Sequence, residues 1–128
     1  MTATLSDNAK ALLDAPELAT IATIDPDGRP QLSVVWVARD GDDVLISTLE
    51  GRRKHKNLVR DPRATVLIYP AANPYTYLEI RGTATIEPDP DAELIDRLAR
   101  AYTGKAWAEP GQPGRVIVRV SAERVVEH

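Results

Sequence analysis

Short runs rich in β-branched residues, separated by tight-turn chemistry, are the feature that most constrains this chain. Leu18-Ala-Thr-Ile-Ala-Thr-Ile24 puts Ala19, Ile21 and Thr23 on one face and Thr20, Ala22 and Ile24 on the other, the two-residue alternation of a strand. Asp25-Pro-Asp-Gly28 follows. Its proline presets the first turn dihedral, and its glycine accepts the positive φ that closes a hairpin. Gln31 to Arg39 reads as a second strand, and its continuous Val34-Val-Trp-Val37 core predicts cover on both faces. Asp40-Gly-Asp42 is the next turn and leads into Val44 to Thr48. Three strands joined by two tight turns predict an antiparallel meander.

Helical periodicity appears only in short pieces between such runs. Ser6 is placed to cap a helix over Asp7 to Asp14, with Ala9, Leu12 and Leu13 as its apolar stripe and Pro16 beyond its end. Gly51 to Arg60 loses the strand pattern and reads as a short helix ended by Asp61-Pro62. Ala64 to Tyr69 is a strand, Pro70 to Pro74 a loop, and Tyr77 to Glu87 a longer strand in which Gly82 marks a bulge or bend. Asp89-Pro-Asp91 opens a third helix with Leu94, Ile95, Leu98 and Ala101 at helical spacing, closed by Tyr102-Thr-Gly104. After a loop at Pro110 to Gly114, Arg115 to Val126 alternates as a last strand. The order α-β-β-β-α-β-β-α-β predicts a mainly β fold with short helices. Six strands of this kind form a closed or nearly closed antiparallel barrel.

At 128 residues, residues 1–128 read as one domain. A core filled by Val, Ile, Leu and Ala, with no phenylalanine, suits a narrow interior. A barrel that narrow holds side chains and not a ligand, so any ligand belongs in an outer cleft or between subunits. Absence of cysteine excludes disulfides and thiolate metal sites. His55 and His128 are the only histidines and offer no plausible metal set. No apolar run approaches the roughly 20 residues of a membrane span, and Met1 to Ser6 lacks the pattern of a secretory signal, so a cytoplasmic protein is expected. The carboxylate pairs Asp42-Asp43 and Asp89-Asp91 fall in turns and read as solvated.

The densest positive run in this acidic chain, Arg52-Arg-Lys-His-Lys56, sits at the start of the second helix. Cations there oppose the helix macrodipole, and Arg52 with Lys56 and Lys56 with Arg60 place like charges four residues apart. Free backbone N–H groups and basic side chains converge, so an anion would relieve both costs. A phosphate site is the favoured reading over a solvated basic face.

Three motifs, Gly28-Arg-Pro-Gln-Leu-Ser33, Arg52 to Ala64 and Glu79-Ile-Arg-Gly-Thr-Ala84, together resemble the pyridoxamine 5'-phosphate oxidase-like split β-barrel family. Within it they are most similar to the actinobacterial branch that uses the deazaflavin coenzyme F420. The resemblance spans residues 5 to 126. It implies a six-stranded split barrel, a homodimer with cofactor sites at the subunit interface, and oxidoreductase activity. It also implies site residues. Arg52 and Lys54 match the family's phosphate-binding Arg-x-Lys, with Lys56 on a further basic position. Pro30, Gln31 and Ser33 match the strand bordering the isoalloxazine-like ring, and Ser47 and Thr48 the cofactor-lining end of the third strand. Tyr75 and Tyr77 fall where aromatic residues approach the ring, with ordinary edge packing equally open. Whether Trp36 or Trp107 lines the pocket stays open.

The function so implied is hydride transfer from reduced F420 to an electron-poor organic acceptor, with no catalytic residue assigned. An FMN-binding oxidoreductase of the same fold and a non-catalytic cofactor-storage protein are the alternatives. No Gly-x-Gly-x-x-Gly or Walker motif is present. Single-stranded nucleic acid is disfavoured because no aromatic residue interleaves the basic run.

Overall fold

In the computed structural model, which describes residues 2–128, the strand signals became β1 (Ala19–Ile24), β2 (Pro30–Val35), β3 (Ala38–Asp40), β4 (Asp43–Leu49), β5 (Arg63–Ile68), β6 (Leu78–Pro88) and β7 (Arg115–Glu127). The helices are α1 (Asp7–Asp14), α2 (Arg53–Arg60) and α3 (Glu93–Thr103). All strand pairs are antiparallel, in the order β2-β1-β5-β6-β7-β4-β3. None of the helices is long and apolar enough to cross a membrane.

The described residues form seven strands and not six, because the run from Gln31 to Arg39 breaks at Trp36-Val37. Its first half pairs with β1 and its second with β4, so one continuous segment supplies both edges of the sheet. The sheet curls into a split barrel whose hydrogen-bond ladder is not closed. The break has a physical cause in Tyr102. Its hydroxyl donates to the Glu17 carbonyl at 2.6 Å and accepts from the Val37 N–H at 3.0 Å, meeting at that corner a backbone group the ladder has lost.

Local chemistry shaped the remaining elements as expected. The Ser6 hydroxyl accepts from the Ala9 N–H at 3.1 Å and caps α1. Gly28, at φ +88°, closes the β1–β2 turn. The β6–β7 register slips at Arg81/Gly82, where a Cβ on Gly82 would stand 2.0 Å from the Ser121 carbonyl oxygen. Two helix details differ from the periodic reading. Ala99, not Ala101, is buried on α3. Asp89 is buried rather than solvated, because its carboxylate accepts from the Glu93 and Leu94 N–H groups, each at 3.0 Å, and caps that helix.

The barrel interior is filled by Ile21, Val44, Ile46, Val66, Ile68, Ile80, Val118 and Val120, closed off by Leu5, Ala9 and Leu13 from the α1 region and Leu58 from α2. A second, smaller cluster lies outside the barrel, where Leu94 and Leu98 of α3 cover Ala38 and Leu45, with Trp36, Tyr102 and Ile117 packed alongside. The outer face of β2 is uncovered within the single chain, and its Val34 lines a cleft shared with Ile95 and Leu98 of α3. Leu32 is 63% and Val34 68% exposed, so the expected cover on both faces is not supplied by the chain itself.

Candidate functional site

A cleft of about 320 Å³ opens where the end of β4, the start of α2, the buried face of α3 and the loop 104–114 meet. Ser47, Thr48 and Leu49 line it from β4, and Arg52 and Lys54 from the α2 start. Trp36 lines it from the break between β2 and β3. Arg115, Gln112, Glu109 and Trp107 complete the lining, Arg115 standing opposite Leu49 and reaching Ser47 Oγ at 3.4 Å. Both tryptophans of the chain therefore face one cleft.

The α2 start is built to stay open. Its N-cap, Arg52, has an extended backbone (φ −65°, ψ 157°) and makes no side-chain cap, so no internal acceptor takes the first-turn N–H groups. The Gly51 N–H donates to His55 Nδ1 at 3.0 Å, fixing the bend from β4 into the helix. From below, the buried Asn57 amide donates to Thr23 Oγ1 at 3.0 Å and Asp25 Oδ1 at 2.9 Å, pinning α2 to the end of β1. Arg60 reaches the Ile24 carbonyl from the last turn.

Electrostatics set this cleft apart. Burial pushes the Lys54 ammonium below its ordinary pKa, and Arg52 adds repulsion. Arg115 is lowered by burial first and Arg52 second, with Asp89 and Glu109 pulling the other way. No carboxylate stands within ion-pair distance of Arg52, Lys54 or Arg115 among the described residues. The Arg115 guanidinium lies 5.3 Å from the Trp107 ring centroid, and its Nη2 donates to Gln112 Oε1 at 2.8 Å. Its Nε–H and the Trp107 indole N–H are buried without an acceptor. Trp107 meets Trp36 edge-on at 6.4 Å, and Trp36 stacks on Tyr102 at 5.4 Å with planes 15° apart. Arg52 thus repels both Lys54 and Arg115 beside an aromatic wall, an arrangement whose charge an anion would offset.

Of the site residues expected from the sequence, Ser47, Thr48, Arg52 and Lys54 come together in this cleft. The others stand elsewhere. Gln31 and Ser33 share the inward face of β2 with the buried Thr23 and Ile21, their register partners on β1. The Gln31 amide oxygen accepts from Thr23 and its Nε2 donates to Ser33 Oγ at 3.2 Å. Pro30 is exposed at the head of that strand. Lys56 lies with His55, Glu50 and Val59 on the outer side of α2. Tyr77 stacks on His128 at 4.4 Å beside a separate hollow near α1, and Tyr75 is 84% exposed. Arg115, Gln112 and Glu109 were not singled out from the sequence. Arg115 opens an ordinary alternating strand, and only the β4–β7 pairing of Leu49 with Arg115 carries it to the basic run.

The fold is a split barrel with an external cleft lined by cations and tryptophans. The chain belongs to the pyridoxamine 5'-phosphate oxidase family, whose model matches residues 5–128. Among solved structures it is similar to an F420 reductase, at 30% identity and TM-score 0.87, covering 95% of this chain and 98% of that one. It is also similar to a conserved hypothetical protein of Mycobacterium tuberculosis, at 26% identity and TM-score 0.78, covering 98% of this chain and 85% of that one. General Stress Protein 26 of Bacillus anthracis shares the fold at 16% identity and TM-score 0.73, covering 91% and 88% of the two chains.

Proposed function

We propose that this protein is an oxidoreductase that uses reduced coenzyme F420 to deliver hydride to an electron-poor organic acceptor. The observation that carries the reading is the convergence of Arg52 and Lys54, neither with a carboxylate partner among the described residues, on a cleft walled by Trp36 and Trp107. Its likeness to an F420 reductase over nearly the whole of both chains supports the same reading.

The donor set fits the coenzyme. Arg52, Lys54 and the uncapped first turn of α2 suit its phosphodiester. Lys56, on the outer side of α2, supplies further positive charge for its acidic oligoglutamate tail, while Arg53 is paired with Asp25 at 3.3 Å and Arg60 is held by the Ile24 carbonyl. When bound, reduced F420 supplies the hydride, and the chain need contribute no acid, base or metal of its own. What these residues do is hold and orient. Arg52 and Lys54 neutralise the phosphate, Ser47 and Thr48 border the site, and the tryptophans keep water from its aromatic end.

FMN is the second reading, since one phosphate also fits the α2 start. The surplus of positive charge around Arg52 favours F420 over it. Visible absorbance of the purified protein, followed by titration with each cofactor, tests the choice. Saturable F420 binding tenfold tighter than FMN is the expected result, and the reverse preference would overturn it. Turnover of bound reduced F420 with a panel of conjugated acceptors separates an enzyme from a passive store.

A further inference from the structure

Among the described residues seven of the twelve arginines are ion-paired, and those left without a carboxylate are exposed except Arg115. Arg119 is held by Glu87, Asp40 and Asp43, Arg39 by Asp14, Arg63 by Asp61 and Arg100 by Asp96. Arg115 differs: it is partly buried and meets only neutral oxygens, Gln112 Oε1 at 2.8 Å and Ser47 Oγ at 3.4 Å. Asp89, the nearest buried carboxylate, is committed to capping α3. Leaving a desolvated guanidinium without an anion is costly, and nothing in the fold of β7 requires an arginine at its first position.

The guanidinium is also aimed. Its central carbon lies 5.3 Å from the Trp107 ring centroid, and its N–H edges are the directions from which an oxyanion can be gripped. Nε and Nη2 make up the side-on edge, the one that grips an oxyanion through two parallel N–H bonds. In this structure Nη2 is occupied by the Gln112 side chain and Nε by nothing. The Trp107 indole N–H, on a residue lining the same cleft, is a second orphaned donor. Gln112 lies in the loop between Gly111 and Gly114, on the rim of the cleft. It is a neutral placeholder that an incoming oxyanion displaces.

We propose that Arg115 is a substrate-binding residue: with the Trp107 indole N–H it receives a carboxylate carried by a planar conjugated acceptor, whose body lies against Trp36 and Trp107. The assignment rests on the oxidoreductase reading above and adds the acceptor's chemical class to it. The cofactor's phosphate does not need Arg115, because Arg52, Lys54 and the free N–H groups of α2 already supply its donors. Arg115 stands beside them, next to Ser47 and opposite Leu49, and offers a further anion position to the second molecule.

Cinnamate, a planar conjugated carboxylate, and cinnamamide, its neutral counterpart, test this by calorimetric titration into the F420-loaded protein. The wild type binds cinnamate about tenfold or more tightly than cinnamamide, the scale of a lost charge-assisted pair. Arg115→Gln abolishes the preference, and Arg115→Lys, which keeps the charge but not the two-pronged edge, restores only part of it. F420 affinity changes less than about twofold in Arg115→Gln, since the phosphate contacts lie elsewhere. Gln112→Ala, which frees Nη2 without touching the arginine, tightens cinnamate binding and covers the case in which Arg115→Gln does not fold. Equal binding of the two probes by the wild type overturns the proposal. So does a preference that survives Arg115→Gln, or a tenfold loss of F420 affinity in that variant, which would put the oxyanion on the cofactor. A wild-type protein that binds no F420 overturns the cofactor reading instead, and the cinnamate preference of the cofactor-free protein then decides the Arg115 assignment by itself.

Discussion

The side-chain amide of Asn57, buried on the inner face of α2, donates to the hydroxyl of Thr23, itself fully buried at the end of β1, at 3.0 Å. The same amide reaches Asp25 at 2.9 Å, and Asn57 is held in turn by Arg60. One polar side chain thus fixes where the α2 start, and with it Arg52 and Lys54, stands relative to the barrel. Asn57→Leu should strip a donor from both Thr23, which keeps its bond to Gln31, and Asp25, which keeps Arg53, and lower stability by about 1–3 kcal/mol. Urea unfolding followed by tryptophan fluorescence measures this. A loss below about 0.5 kcal/mol would show that α2 is held by Leu58 alone.

Lys54→Ala removes a cation that burial and Arg52 already disfavour. Cofactor binding should weaken by roughly 1.5–3 kcal/mol, while the unliganded protein keeps or slightly gains stability. Binding by the wild type should also weaken as salt rises, because part of the attraction is exposed Coulomb interaction. Calorimetric titrations of both proteins with F420 and with FMN check all three points.

Gly82→Ala should be among the most damaging single-methyl additions available. The new Cβ would meet the Ser121 carbonyl oxygen at 2.0 Å and its carbon at 2.9 Å, both backbone atoms that cannot swing aside. A cost above about 3 kcal/mol, or failure to fold, is expected. Expression and thermal unfolding of this variant beside Gly111→Ala, where nothing lies within 4 Å, provide the comparison.

Asp61, which ends α2, accepts from the Arg63 side chain at 2.7 and 3.0 Å and from its backbone N–H at 3.2 Å. Those bonds hold its carboxyl at a pKa of about 2, side-chain hydrogen bonding first and the backbone bond second. A carboxyl depressed in the folded state contributes stability above its unfolded pKa of about 3.9, and that contribution fades as pH falls toward the folded value. The pair is exposed, so the effect on stability is small. Titration of the Asp61 side chain by NMR should show the depressed value, and Arg63→Ala should return it to the ordinary carboxylate range.

Leu32 and Val34 project from the outer face of β2, with the exposed Leu18 following the same surface into β1. A bare apolar strand face of this kind asks for a partner, and a second copy of the chain is the one expected. Sedimentation at micromolar concentration should give a dimer, and Leu32→Glu should shift it toward the monomer by more than tenfold in dissociation constant, given a buried charge at an apolar contact. A wild type that sediments as a monomer would overturn the expectation.

What the sequence determined by itself was whatever depends on near neighbours in the chain. Alternation of β-branched residues, the Asp25–Gly28 turn, the Ser6 cap and the basic helix start act over a few residues, and each has its expected local form in the structure. Only the tertiary structure decided the rest. Val34 to Val37 looks like one strand because apolar continuity is local, yet it breaks where Tyr102, 65 residues away, takes the Val37 N–H. Arg115 looks like any strand residue until β7 lies against β4 and sets it opposite Leu49, beside the α2 start. Asp89 and Asn57 look like solvated polar residues, but packing buries both and supplies the partners that burial demands. Pattern reports which faces must be covered; what covers them, and which charges are left facing one another, is settled only when distant segments close on each other.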